Sequence, residues 1–307
     1  MSANFFQQIR KALTTLNPNE VREIAERPAR IVLHATSEQA YLEMERFFLP
    51  PELSARRRAA VMDHLFRAED AGRPMQAEID VFEQSMARPA SAFTFYSFDP
   101  SQTVEEVLAV HPELDLALAR NFAPFRDPVI DGLIHKISGE NGWFSVMTAL
   151  PNIVPSALMV PWAVGEFASD TAVITANQIR MLFLISAASG GSIGYAEQKS
   201  QIASVVAAAF GWRALARQAV GKIPLGGGII PKAAIAYAGT WVIGRSFERL
   251  HRVGYGYTEK ERKRAFKDAF ERGKDVLGSL LKRQQKEGAS ASAPYDEELA
   301  GKVVVRR

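Results

Sequence analysis

The run Asp170-Thr-Ala-Val-Ile-Thr-Ala-Asn-Gln-Ile-Arg-Met-Leu-Phe-Leu-Ile-Ser186 decides the fold. It is helix-like and apolar around most of its circumference, which is the pattern of a helix buried on all sides. Asp170, Asn177 and Gln178 nevertheless fall close together on one side, with Arg180 following. Polar groups in such a helix must find hydrogen-bond partners. Either they bond neighbouring helices and the backbone, or they contact a partner or an ion inside a bundle.

The surrounding stretch, Asn141 to Phe247, is rich in Ala and Gly and is flanked by strongly charged sequence. From Asn141 to Gly165 there is no Lys, Arg, Asp or Glu. That length is nominally enough to cross a bilayer. Pro151, Pro155 and Pro161, with Asn152, argue against a straight span, since each proline inside a helix costs about 3 kcal/mol. The runs Ile202–Trp212 and Ala233–Gly244 are short, which suits core helices better than spans. Ile202–Val220 and Ala233–Phe247 are expected to form a helical hairpin joined through 221–231. Ala203, Ala207, Ala234, Ala236, Ala238 and Gly239 would allow its helices to approach closely.

The chain of 307 residues is long enough for two domains and a self-sufficient core. A net charge of +3 and an ordinary charged fraction exclude a polybasic nucleic-acid binder, so no nucleic-acid partner is expected. With no Cys, disulfides, cysteine nucleophiles and thiolate metal sites are excluded. The first residues lack the basic start and apolar core of a signal peptide, which leads to the expectation of a cytoplasmic location for the bulk of the chain.

Toward the N-terminus, Phe5, Ile9, Leu13 and Leu16 space an amphipathic helix. Asn17-Pro18-Asn19-Glu20 starts another, over 21–27. Residues 30–36 read as a strand, and Ser37 caps a helix to about Phe48. Further helices are expected over 54–68 and 74–86. Ser91–Ser97 reads as a second strand, and 103–120 as helix around His111-Pro112. This order suggests a small α/β layer with parallel strands. Two strands are few for a sheet, so another strand is expected.

After Phe247 the chemistry reverses. Thr258 caps a long helix, 259–286, with Glu261 supporting the cap. Phe266, Ala269, Phe270, Val276, Leu277, Leu280 and Leu281 form its apolar stripe. Thirteen Lys and Arg against seven Asp and Glu give +6 between Arg245 and Glu287, so the rest of the chain is mildly acidic. This helix could lie on anionic lipid or pack its stripe on the bundle.

These segments assemble into a mainly α protein: a C-terminal helical bundle or hairpin domain with a small N-terminal α/β domain. The divisions are an N-terminal helix over 1–16, the α/β domain over 17–125, the Ala/Gly-rich helical domain with its basic helix over 126–287, and a flexible tail over 288–307.

Ala149-Leu-Pro151 with Pro155, then Asp170, Thr175, Gln178 and Met181, Ile223-Pro224 with the following glycines, and Thr240, Gly244 and Phe247 carry a resemblance. Over about a third of the chain they look like the YcjF-like domain of unknown function, found beside bacterial GTPase domains. The resemblance implies a helical, membrane-associated bacterial module with a GTPase-like protein as a possible partner. Relatives that carry a GTPase place a phosphate loop after the first strand. Here 31–40 contains neither glycine nor lysine, so the backbone cradle and the phosphate-reaching lysine are both missing. Residues 17–125 then read as a degenerate nucleotide-binding-like module or an unrelated α/β unit.

Candidate sites are few. Gly226-Gly227-Gly228, with Lys222 and Lys232, precedes a helix expected to begin at Pro231. That helix N-terminus could hold an anion or lipid head group, or the glycines could only turn the chain. Gly190-Gly-Ser-Ile-Gly194 follows a helix and reads as its C-cap rather than as a dinucleotide loop. The five histidines lack metal-ligand spacing, and no catalytic motif appears. No cofactor, metal or catalytic residue is expected. The resulting expectation is a non-catalytic, membrane-associated scaffold or regulatory protein on the cytoplasmic face of the inner membrane, peripheral or partly inserted. Alternatives are a soluble nucleotide-binding protein with an atypical phosphate loop, or a soluble homo-oligomeric interaction protein.

Overall fold

The computed structural model describes residues 16–149, 170–208 and 229–291, together with Gln7, Arg10, Lys11 and Thr14. The protein is mainly helical, with one small parallel sheet. Chain order in the N-terminal half is α1 (Pro18–Ala25), β1 (Ile31–His34), α2 (Glu38–Phe48), α3 (Ala55–Met62), β2 (Leu65–Arg67), β3 (Ile79–Glu83), β4 (Phe93–Phe95), α4 (Pro100–Val110) and α5 (Asp115–Asn121). Asn17 and Ser37 are the N-caps: Asn19 N–H donates to Asn17 Oδ1 at 3.1 Å and Ala40 N–H to Ser37 Oγ at 3.2 Å. Each side-chain oxygen thereby satisfies an otherwise open first-turn amide.

The strands lie in the order β2-β1-β3-β4, all parallel. Alternation sends Ile31, Leu33, Ile79, Val81, Phe93 and Phe95 to one face. There they join Tyr41, Met44 and Phe48 of α2 in the main core.

The parallel layer agrees with the order read from sequence, and the missing strand proves to be two strands. The helix expected over 74–86 is incorrect, because that region supplies β3. Met75, Ile79, Phe82 and Met86 fit a helical spacing, while Ile79 and Val81 fit a strand spacing equally well. Pairing along the free edge of β1, with Ile31 opposite Ile79 and Leu33 opposite Val81, settles it in favour of the strand. Similarly, the helix expected over 54–68 stops at Met62, and Leu65–Arg67 becomes the edge strand on the other side of β1.

The C-terminal half holds α6 (Ala123–Met147), α7 (Asp170–Ala188), α8 (199–208), α9 (Ile229–Val253) and α10 (Glu259–Ala291). Helix α6 runs unbroken through the composition shift at 138–142. Helix α7 is the buried helix its sequence describes, from Ala172 to Ala188. It is also the one described helix long and apolar enough to cross a membrane, and most of it is covered by the bundle. Helix α9 packs mainly on α6 and α10. Its expected hairpin partner over 202–220 lies partly outside the described residues.

Close approach depends on glycines at the helix crossings. A Cβ on Gly142 would sit 3.1 Å from Leu277 of α10, and one on Gly244 would sit 2.8 Å from Ile134 of α6. Beside them the guanidinium groups of Arg245 and Arg272 each lie over the Trp241 ring at 4.7 Å, with His135 edge-on at 4.4 Å. Stacked cations of this kind stabilise by roughly 0.5–2 kcal/mol apiece.

Thr258 caps α10 as its sequence signals: Thr258 N–H donates to Glu261 Oε2 at 2.8 Å, and Glu261 N–H to Thr258 Oγ1 at 3.4 Å. Of the apolar stripe, Ala269 and Leu277 are fully buried and Val276 is exposed. The helix continues to Ala291, so 288–291 is helix rather than flexible tail.

Candidate functional site

Helices α6, α7 and α9 meet through a belt of buried polar side chains. Thr240 of α9 is its hub. Its Oγ1 donates to Ala236 O at 2.9 Å and accepts from Asn141 Nδ2 of α6 at 2.9 Å and from Gln178 Nε2 of α7 at 3.1 Å. Asn177 Nδ2 donates to Asn141 Oδ1 at 2.9 Å and to Glu140 Oε2 at 3.1 Å. Arg180 closes the belt toward the surface, donating to Asn177 Oδ1 at 3.1 Å beside Glu140. Asn141, Asn177, Gln178 and Thr240 are each no more than 2% exposed. The structure therefore directs Asn177 and Arg180 toward α6 and Gln178 toward α9. The side chain of Asp170 lies outside the described residues.

Sequence reasoning missed Glu140, Asn141 and Thr240 as belt members, because Glu140 and Asn141 lie in the small polar run 138–142 and Thr240 stands alone in α9. Only their partners on α7 stood out against an apolar background. Such a belt fixes the register of three helices, since a shift of one residue would bury unpaired amides at about 1–3 kcal/mol each. Gln178 Oε1 and Ser138 Oγ are buried without a hydrogen-bond partner among the described residues.

The carboxyl edge of the sheet is the usual ligand location in open α/β folds, at the point where strand order reverses. Here that point lies between β1 and β3, and a carboxylate fills it. Thr36 N–H donates to Glu83 Oε2 at 2.8 Å and Thr36 Oγ1 to the same oxygen at 2.7 Å. These two bonds hold the Glu83 carboxyl below the usual carboxylate range. A negative charge thus occupies the amide that a phosphate loop would turn toward its ligand. Next to it His34 Nε2 lies 2.7 Å from Asp80 Oδ1, with the ring stacked on Phe82 at 4.0 Å.

The helical bundle has two unlike ends. Helices α6 and α7 run antiparallel, with Glu140 facing Arg180 and Arg126 reaching Ala188. Helix α9 is also antiparallel to α6, since Gly142 meets Tyr237 and Gly244 meets Ile134. One end therefore gathers Met147 at the close of α6, Asp170 at the start of α7 and Ile229 at the start of α9. The α/β domain sits at the other end, where Phe48 packs on Phe122 and Phe125 and Arg57 bonds Gly190.

Helix α10 runs parallel to α6, with Leu277 level with Gly142. At 1.5 Å per residue its course to Ala291 overruns α6 by roughly 13 Å. That overrun, over 283–291, carries Arg283, Lys286 and Glu287.

Lys232 lies in the first turn of α9, which begins at Ile229, two residues before the expected Pro231. Lys222, Gly226, Gly227 and Gly228 lie outside the described residues. Among the described residues no group of three or more His, Asp or Glu is arranged to hold a metal ion. A scan against protein-family models and searches of curated proteins and of solved structures found no match to this chain.

Proposed function

We propose that the protein is a non-catalytic, membrane-associated scaffold or regulatory module on the cytoplasmic face of the inner membrane. The end of the bundle opposite the α/β domain would be the part that meets the bilayer. One observation carries this reading: α6 ends, and α7 and α9 begin, at the same end of the bundle. The sequence between Met147 and Asp170, which joins two of them, has no charged residue from 148 to 165. Basic residues of α10 run past that end, where anionic head groups would attract each by about 1 kcal/mol. The buried α7 then serves as the rigid centre of the bundle rather than as a span.

At the β1–α2 loop the Glu83 carboxylate would repel a phosphate, while the atypical phosphate loop of the nucleotide-binding alternative, Gly226 to Gly228, lies outside the described residues. The resemblance to the YcjF-like domain supports membrane association and a GTPase-like protein partner, which the α/β domain is free to meet on the far side.

Washing membranes from expressing cells with high salt and then with carbonate tests the proposal. Sedimentation with membranes is expected, with release by salt if α10 alone holds the protein and retention through both washes if the apolar end inserts. Recovery only in the soluble fraction, as a monomer or an oligomer, would overturn it.

A further inference from the structure

Three arginines from three helices close on the C-terminal end of α7. Arg57 of α3 donates from Nη1 to Gly190 O at 3.1 Å, and from Nη2 to Ser189 O at 3.2 Å and Arg120 O at 2.9 Å. Arg120 of α5 donates from Nη1 to Gly191 O at 3.1 Å and Ala187 O at 3.4 Å. Arg126 of α6 donates from Nε to Ala188 O at 3.3 Å. All three residues are partly exposed, so the rim of the cluster meets solvent.

A helix C-terminus accounts for part of this arrangement, since its carbonyls attract cations. It does not balance the charge. The helix end supplies about −0.5 of a charge against three guanidinium groups. Among the described residues one carboxylate, Glu26, lies within 4 Å of any of them, at 3.7 Å from Arg120. Asp127, beyond that distance, also acts on Arg126, so between about +0.5 and +1.5 is left without a counter-charge. Arg126 Nη2 is also buried with no acceptor among the described residues. Burial, with the neighbouring Arg126 and Arg120, lowers the pKa of Arg57, and burial lowers that of Arg126.

We propose that Arg57, Arg120 and Arg126 form a binding site for a phosphate-class oxyanion carried by a soluble compound. A phosphate brings full negative charge and several acceptor oxygens, which matches converging guanidinium forks better than a single carboxylate does. Within α6, Arg126 lies 21 residues from Met147 at the opposite end of the bundle, a distance of about 32 Å. A soluble phosphate, not a lipid head group, is therefore the ligand that fits.

Titrating the full chain with inorganic phosphate and pyrophosphate at constant ionic strength, by calorimetry and thermal melting, tests the site. Saturable binding at millimolar or lower concentration is expected, with chloride giving none. Arg126→Gln is expected to weaken binding at least tenfold while leaving the ligand-free circular dichroism spectrum unchanged, and Arg126→Lys to retain part of it. Should Arg126→Gln fail to fold, Arg120→Gln provides the same comparison. Absence of saturable binding, or equal affinity in the glutamine variant, would overturn the proposal. So would vesicles containing phosphatidic acid that bind wild type but not Arg126→Gln, because the site would then read lipid.

Discussion

Replacing Thr240 by Val isolates the hub of the polar belt. Valine keeps the shape and the β-branching and removes one oxygen. That oxygen is the acceptor for Asn141 Nδ2 and Gln178 Nε2. Both donors are buried, and each one left unpaired costs about 1–3 kcal/mol. Asn141 retains a long contact to Ile174 O at 3.4 Å, which puts its share at the lower end. The combined loss is then about 2–5 kcal/mol. Thr240→Ser keeps the hydroxyl and removes one methyl, at about 1 kcal/mol. Urea unfolding followed by circular dichroism compares the two. The valine variant should be the less stable by at least 1 kcal/mol, although it is the more apolar. Adding Gln178→Met should recover part of the deficit, because a buried donor disappears together with its acceptor. Equal stability of the serine and valine variants would refute the claim that Thr240 Oγ1 organises the three helices.

Other consequences follow from single positions. Gly190 ends α7 with φ +68, and a Cβ there would lie 1.8 Å from Arg57 Nη1. Gly190→Ala should therefore cost about 1–2 kcal/mol for the left-handed backbone alone, and more through loss of Arg57's bonds, as read from the thermal midpoint. Gly244→Ala should cost about 1–3 kcal/mol by overpacking α9 against Ile134 and Met181, measured by the same unfolding assay. The Glu261 carboxyl, bonded by Arg249 and Thr258, has its pKa lowered to about 2. A depressed carboxyl pKa stabilises above its unfolded value of 4.5, and that contribution is lost as pH falls toward 2. Glu261→Gln should flatten the acid dependence of α10 helicity between those limits, as followed by circular dichroism.

Much of this architecture can be read from the chain. The circumference of α7 is apolar enough to demand burial, and Asn17, Ser37 and Thr258 mark helix starts through chemistry confined to a few residues. Gly190 and Gly191 likewise end α7 as a local motif, with Gly191 N–H donating to Ser186 O at 2.7 Å and Gly190 N–H to Ala187 O at 2.9 Å. Strands β2 and β3 were harder to see. They are three and five residues long, and what makes them strands is pairing with β1, information that no local window contains. The belt was half legible for a related reason. Asn177 and Gln178 contrast with their own helix, whereas Asn141 and Thr240 acquire meaning only once α6 and α9 are placed beside α7. The arginine cluster escaped notice because Arg57 is 63 residues from Arg120 and all three arginines meet one helix end only in the folded chain.

The central claim is that one end of the bundle faces a membrane while the α/β domain faces away. Because the sequence contains no Cys, a single cysteine carrying an environment-sensitive dye can report from either end. Thr148→Cys places it where α6 ends, and Met75→Cys places it on the exposed surface of the α/β domain. On adding anionic vesicles, the account predicts a blue shift and protection from an aqueous quencher at 148 and neither change at 75. No change at 148, or equal changes at both positions, would contradict it.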